Sequence, residues 1–284
     1  MPSRFVCLVI LVYWLIAAFF LLTRELLPEL TLGYPPDFRT IVAAGQGDPE
    51  VRWTIQVMGD SKGSEVLRTV GTAVTGSSGR EDGSSELTSR VSLDSEGLFK
   101  GTPLASINVG RLEIDSRYNV DNKGNLRTLK FKVTSDEAPD FVLTVDGKVQ
   151  NGLLVLTFRS KGLEQVRRFP YEPRSVVGNS FGPMDRLPGL HVGQRWETQM
   201  VNPITGQVDR VRVEVLRRTL IQWENQPVSP FEVLQTYPPL SSARSWVRTD
   251  GVILRQELPL PFVRLILERR KQPDTKTETE ASSS

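Results

Sequence analysis

The sequence predicts a mainly β protein, a large antiparallel sheet with few helices, preceded by one N-terminal transmembrane helix. Three observations carry this prediction. The run from Phe5 to Leu22 is unbroken apolar or aromatic, with Arg4 the one ionised side chain before Arg24. Apolar and polar residues then alternate with a period of two through much of residues 51–268, the spacing of a strand with one buried face rather than of a helix. Tight-turn sequences such as Asn151-Gly152 separate the alternating runs.

The apolar run is long enough for a membrane. Its residues as a helix extend roughly 27 Å, against a hydrocarbon core of about 30 Å. A cleaved signal peptide is the rival reading, but Ala17 and Ala18 are the one small pair, and neither has a small residue two places before it. Cys7, the single cysteine, lies too early and too deep in the run for a lipoprotein signal. The flanks, Arg4 before the run and Arg24, Glu25 and Glu29 after it, orient the N-terminus to the cytoplasm and the remainder outside. The expected location is therefore the cytoplasmic membrane, single-pass, with membrane lipid contacting residues 5–22.

Composition bounds what lies beyond. Of 35 basic and 33 acidic side chains, the anchor contains one Arg and no acid, so the exported part is close to neutral, which argues against a nucleic-acid partner. With its one cysteine in the membrane, that part forms no internal disulfide and depends on core burial. The expected organisation is an anchor at 1–23, an extended linker at 24–49 containing Pro28, Pro35 and Pro36, a β-domain at 50–271, and a tail at 272–284 too polar to fold. Within the domain, 50–168 and 190–271 read as two halves joined by an irregular connection.

Strands follow in order. Val51, Trp53, Ile55 and Val57 alternate with Arg52, Thr54 and Gln56. Leu112, Ile114, Tyr118 and Val120, then Leu129, Phe131 and Val133, form a hairpin about Asp121-Asn122-Lys123-Gly124. Asn151-Gly152 suits a type I′ turn, which sets Val149 opposite Leu154 and Val145 opposite Phe158. Asp146-Gly147 reads as a bulge in that hairpin. A third hairpin joins Arg195–Asn202 to Gln207–Arg218 through Pro203-Ile204-Thr205-Gly206. Further strands are expected at 66–75, 84–93, 229–237, 243–248, 252–258 and 262–268. From Arg167 to Val192, four prolines interrupt any element, and a short helical turn is expected near Asp185.

No catalytic constellation is visible. His191 is the single histidine, so a two-histidine metal site is excluded, and its Leu-Pro-Gly-Leu-His-Val-Gly setting reads as a turn. Asp94-Ser95-Glu96-Gly97 and Arg80-Glu81-Asp82-Gly83 are too short for a calcium loop. Glu113 and Asp115 share a wet strand face with Arg111 and Arg117, an arrangement suited to ion pairs rather than acid/base chemistry. Ser160 and Lys161 point to opposite sides of a strand, and Gly76-Ser77-Ser78-Gly79 does not join a strand to a helix. No cofactor, metal or catalytic residue is assigned. The basic residues Arg244, Arg248, Arg255, Arg264, Arg269, Arg270 and Lys271 form either a strip facing lipid headgroups or an acidic partner, or ordinary solvated strand faces. Trp196, Trp223, Phe231 and Trp246 are the candidate lining of an apolar pocket, with plain core as the alternative.

Two stretches together carry a resemblance. Leu187-Pro188-Gly189-Leu190-His191-Val192-Gly193-Gln194-Arg195-Trp196, followed by Trp246 to Glu257, resembles the Pro-Gly-x-x-x-Gly-x-x-Trp and Trp-x-x-x-x-Gly-x-x-x-Arg strands of uncharacterised bacterial envelope proteins. The likeness covers about residues 110–270. It implies the curved antiparallel sheet or incomplete barrel of periplasmic lipoprotein-localisation factors, whose interior holds acyl chains. The expected function is a noncatalytic, membrane-anchored binding domain for an apolar ligand, a lipid or a lipidated envelope protein. A scaffold or accessory subunit of an envelope complex is the alternative, and a hydrolase of unknown type is third.

Overall fold

The structure, a computed structural model, describes residues 4–21, 33, 36, 40–41, 50–61, 64–103, 105–106, 109–140, 142–171, 173, 178–179, 183–202, 207–237, 241–260 and 263–271. Helix α1 spans Arg4–Leu21, 18 residues, and coincides with the apolar run. Side chains are described on it for residues 11–20, and among the described residues no helix is long and apolar enough to cross a membrane. The expected tail lies outside the described residues from position 272 onward, as does most of the expected linker. Two linker residues that are described dock on the domain: the Gly33 N–H donates to the Arg195 carbonyl at 2.7 Å, and Ile41 is buried in the core.

The domain is built of strands in chain order: β1 Val51–Ser61, β2 Ser64–Gly79, β3 Ser85–Asp94, β4 Arg111–Val120, β5 Leu126–Ser135, β6 Val142–Gln150, β7 Leu153–Ser160, β8 Leu163–Pro170 and β9 Gly178–Asn179. There follow β10 Arg195–Asn202, β11 Gln207–Arg218, β12 Ile221–Trp223, β13 Gln226–Val228, β14 Phe231–Tyr237, β15 Ser241–Val247, β16 Ile253–Leu260 and β17 Val263–Arg269. Fifteen of them form one sheet, in the order β8-β7-β6-β5-β4-β3-β2-β1-β17-β16-β15-β14-β11-β10-β9. β12 and β13 form a separate ribbon. Each sheet contact is antiparallel except the short β9–β10 pair. The two expected halves thus meet through β1 and β17, Trp53 opposite Arg269 and Ile55 opposite Leu267.

The register puts one apolar face inward along the whole sheet. Trp53, Ala73, Val91, Ile114, Val133 and Leu143 lie in one cross-strand row on the N-terminal side, and Leu267, Val247, Val233 and Val213 share the same face on the other. The large side chains of both sides pack into one cluster that includes Trp53, Leu156, Trp196 and Val211. Register shifts at Ile55/Gln56, Asn119/Val120, Val215/Arg217 and Trp246/Val247 add local twist, which curls so long a sheet upon itself. The curl stops short of a closed barrel: the Gln199 side-chain amide donates to the Pro170 carbonyl at 3.1 Å, but no ladder joins β8 to β10.

Turn chemistry explains the hairpins. Asn151 and Gly152 have φ of 51° and 74°, and Val149 pairs with Leu154 and Val145 with Phe158, as the type I′ reading requires. Asp121 caps its turn by accepting from the N–H groups of Lys123 and Asn125, both at 2.9 Å. The expected bulge at Asp146-Gly147 is absent, since β6 pairs with β5 and β7 without a shift. Gly147 is there for packing: a Cβ at this position would lie 2.5 Å from Leu129 Cγ and 2.9 Å from Leu156 Cδ2. The expected Pro203–Gly206 turn lies outside the described residues, while its flanking strands pair from Arg195↔Glu214 to Asn202↔Gln207.

Three further corrections concern elements with weak patterns. Strand β8 extends to Pro170, so part of the expected irregular connection is sheet. A one-turn helix α2, Ser95–Phe99, was not expected; Asp94 caps it by accepting from the Gly97 N–H at 3.0 Å. No helical turn forms at Asp185. The chain there is extended, with Arg186 bridging Val252, because Pro188 biases Leu187 away from helical angles and Pro183 has no N–H to give.

Candidate functional site

The outer face of β2–β6 is wet. A groove of about 640 Å³ runs across it, lined by Arg90, Asp115, Arg117, Lys130, Lys132 and Asp146 with Thr88, Thr144 and Glu50 around them. The pleat dictates this lining: residues alternating with the buried Val91, Ile114, Phe131 and Val145 must point outward. Glu113 and Asp115 fall on this face, as their spacing predicts.

Most of the groove's charges are already neutralised. Arg90 meets Asp115 at 2.9 Å, and this hydrogen bond, reinforced by the carboxylate's charge, raises the Arg90 pKa. Arg117 meets Glu86 at 3.0 Å on the rim, and Asp146 meets Arg159 at 2.5 Å. Lys130 and Lys132 differ. They are exposed, two positions apart on one strand, and neither makes an ion pair among the described residues. Two lysines whose Cα atoms are about 7 Å apart along β5 thus face the groove without an ion pair among the described residues.

The four aromatic candidates are not brought together. Trp196 (3 % exposed) and Phe231 lie on the inner face, opposite Val213 and Val247 respectively. Trp246 (8 % exposed) lies on the outer face, opposite Glu232 and Arg255, with the Arg255 guanidinium 5.2 Å from its ring centroid. Trp223 sits on the separate β12–β13 ribbon, its indole Nε1 buried without a hydrogen-bond partner. One apolar pocket cannot be lined from opposite faces of one sheet.

The basic strip is also taken up locally. Arg244 and Arg217 both meet Glu232 at 3.0 Å, and the Glu232 side chain is only 3 % exposed. Arg248 meets Asp250 at 2.6 Å, Arg255 and Arg264 share Glu257, and Arg270 donates to Thr54 Oγ1 at 2.6 Å. These are the polar contacts of a solvated sheet face, and Glu232 as the buried partner of Arg217 and Arg244 was not visible in the alternation pattern.

A second construction went unseen in the sequence. Residues 184–187 cross the inner ends of four strands as a latch. Trp53 Nε1 donates to Thr75 Oγ1 at 3.2 Å, and Thr75 Oγ1 donates in turn to Asp185 Oδ1. The Asp185 carbonyl accepts from the Ile253 N–H at 3.0 Å and from Arg269 Nη1 at 3.2 Å. The Met184 N–H donates to Gln256 Oε1 at 3.0 Å, and the Leu187 N–H to the Gly251 carbonyl at 2.7 Å. Burial pushes the Asp185 carboxyl above its ordinary range, opposed by the Thr75 hydrogen bond and the Arg269 charge. The two stretches behind the family resemblance meet in this latch, since Gly251 packs directly on Pro188. Among the described residues no group of three or more His, Cys, Asp or Glu side chains could hold a metal. His191 lies in an exposed loop, its N–H donating to Gln194 Oε1 at 3.3 Å.

No protein-family model matches the chain, and no curated protein matches it. Solved structures do. A β-barrel-like protein of the domain of unknown function DUF1849 from Brucella abortus superposes with a TM-score of 0.50 at 11% identity, over 78% of this chain and 96% of that one. A DUF1089 family protein from Pseudomonas aeruginosa gives a TM-score of 0.36 at 17% identity, over 66% of this chain and 89% of that one, too low a likeness to argue from. The first shows a shared β-barrel-like fold and nothing about function.

Proposed function

We propose that the chain is a noncatalytic binding module, tethered to a bacterial cytoplasmic membrane with its β-domain outside, that receives an extended acidic segment of an envelope partner in the groove over β2–β6. The observation that carries this reading is the pair Lys130 and Lys132, exposed and without ion pairs in a groove whose other charges are matched. Carboxylates of a partner would complete the pattern at modest desolvation cost, and such contacts govern association rate and partner choice more than raw affinity. The tether rests on the sequence run from Phe5 to Leu22. A continuous cluster of buried apolar side chains on the inner face weighs against the acyl-chain alternative drawn from the localisation factors.

Crosslinking in intact cells tests the module. A photoreactive side chain at Thr144, beside the groove, is expected to capture a defined envelope protein, and the capture is lost in the Lys130→Glu/Lys132→Glu variant while the variant's abundance and melting temperature hold. Equal capture by both chains refutes the groove. Copurification of stoichiometric lipid with the full chain, removed by organic extraction, would return the apolar-ligand reading.

A further inference from the structure

We propose that two copies of this chain pair through β8, antiparallel and centred on Val166, so that the sheet continues across a twofold axis. β8 is one end of the sheet and pairs only with β7; the other end is the two-residue β9. Among the described residues nothing covers it: Leu163 is 78 % exposed and Val166 44 %, and Glu164, Gln165 and Arg168 are exposed as well. An edge so long and bare is unusual unless something pairs with it.

The backbone specifies which residues are available. β7 and β8 are joined by the two-residue turn Lys161-Gly162, with φ of 46° and 78°, and Ser160 pairs with Leu163. In such a hairpin the flanking residues form a closely hydrogen-bonded pair, so Leu163, Gln165, Arg167 and Phe169 turn their N–H and C=O groups toward β7. Glu164, Val166 and Arg168 turn theirs outward. The edge ends at Pro170, which has no N–H and whose carbonyl is taken by Gln199.

Charge then selects a second copy and one register. With Val166 opposite Val166 of its mate, Glu164 faces Arg168, and Leu163 faces Phe169, on matching faces of the extended sheet. The available outward groups are those this register needs, giving about six inter-chain hydrogen bonds. Opposite charges across an antiparallel pair are favourable, whereas a parallel in-register pairing would stack Arg167 and Arg168 on themselves. The same Arg168 and Glu164 that shield the edge from other strands therefore match it to its own copy.

The test uses the full chain in detergent, with mass measured by light scattering and sedimentation over a dilution series. The wild type is expected as a dimer. Val166→Pro removes the outward N–H at the axis in both copies without touching the β7 ladder, and is expected to raise the dissociation constant roughly 30- to 150-fold. Glu164→Arg is expected to weaken the dimer, and Glu164→Arg/Arg168→Glu to recover it. A far-UV circular dichroism spectrum and a thermal melt accompany each variant, and the charge series decides the matter where Val166→Pro does not fold. A monomeric wild type, a dimer indifferent to Val166→Pro, or a folded double swap that does not recover association would each overturn the proposal.

Discussion

Replacing Gly251 with Ala strikes the latch at its tightest contact. A Cβ there would lie 2.7 Å from Pro188 Cα, 2.8 Å from Pro188 N and 3.0 Å from Pro188 Cβ. Carbon atoms prefer about 3.5–4.0 Å, so Pro188 must retreat by roughly 1 Å, and the 2.7 Å hydrogen bond from Leu187 to the Gly251 carbonyl goes with it. Gly251 also has φ of 85°, which costs an L-residue about 1–2 kcal/mol by itself. Overpacking adds about 1–3 kcal/mol and the lost hydrogen bond about 1 kcal/mol, for a total of about 3–6 kcal/mol. Gly189 supplies the control, because its φ is 74° but no atom lies within 4 Å of its virtual Cβ. Gly189→Ala should therefore cost only the backbone share, about 1–2 kcal/mol. In a domain of this size each kcal/mol lowers the melting temperature by about 2–4 °C, so Gly251→Ala should melt at least about 4 °C below Gly189→Ala. Urea midpoints at constant slope give the same comparison as free energies. Equal losses in the two variants would refute the idea that Pro188 and the 184–187 segment are held by this contact.

Other perturbations probe separate parts of the same argument. Because burial raises the Asp185 carboxyl in the folded state, the unfolded chain ionises first as pH rises above about 3.8. Stability relative to Asp185→Asn should then fall with rising pH until the folded carboxyl also ionises, at up to about 1.4 kcal/mol per pH unit, and stay level above that; parallel stability curves from pH 3 to 8 would contradict it. Tyr171→Phe leaves the buried Leu126 N–H, which donates to the Tyr171 hydroxyl at 2.8 Å, without an acceptor, at a cost of about 1–3 kcal/mol measured by denaturant unfolding. Gly147→Ala forces Leu129 and Leu156 apart and should destabilise by about 1–3 kcal/mol; a neutral outcome would mean that β6 has room, as a bulge would provide.

The pattern of what was legible follows from the range of each interaction. Hairpins such as Arg111–Val120 with Leu126–Ser135, and the turn at Asn151-Gly152, were readable because alternation and turn chemistry act between near neighbours. Strand β8 was not, since an edge strand buries little and its Leu-Glu-Gln-Val-Arg-Arg-Phe-Pro has no strict alternation to show. Asp146-Gly147 misled for a related reason: glycine in a strand signals either a bulge or a close approach, and only Leu129 and Leu156, from two other strands, reveal which. Which faces the aromatic candidates occupy was not legible, because the Trp246/Val247 register shift and the separate ribbon assign faces that no count along the chain supplies.

By itself the sequence determined that this protein is an antiparallel β-domain behind an apolar run, with one wet face rich in paired charges and a single histidine and a single cysteine. Those properties depend on residue type and local spacing. Tertiary structure alone decided that β1 pairs with β17 across most of the chain, that Asp185 closes onto Thr75, and that Lys130 and Lys132 are the groove's unmatched charges among the described residues. Each of these joins residues far apart in sequence, and their meeting is selected by the burial of one continuous face rather than by any pattern along the chain.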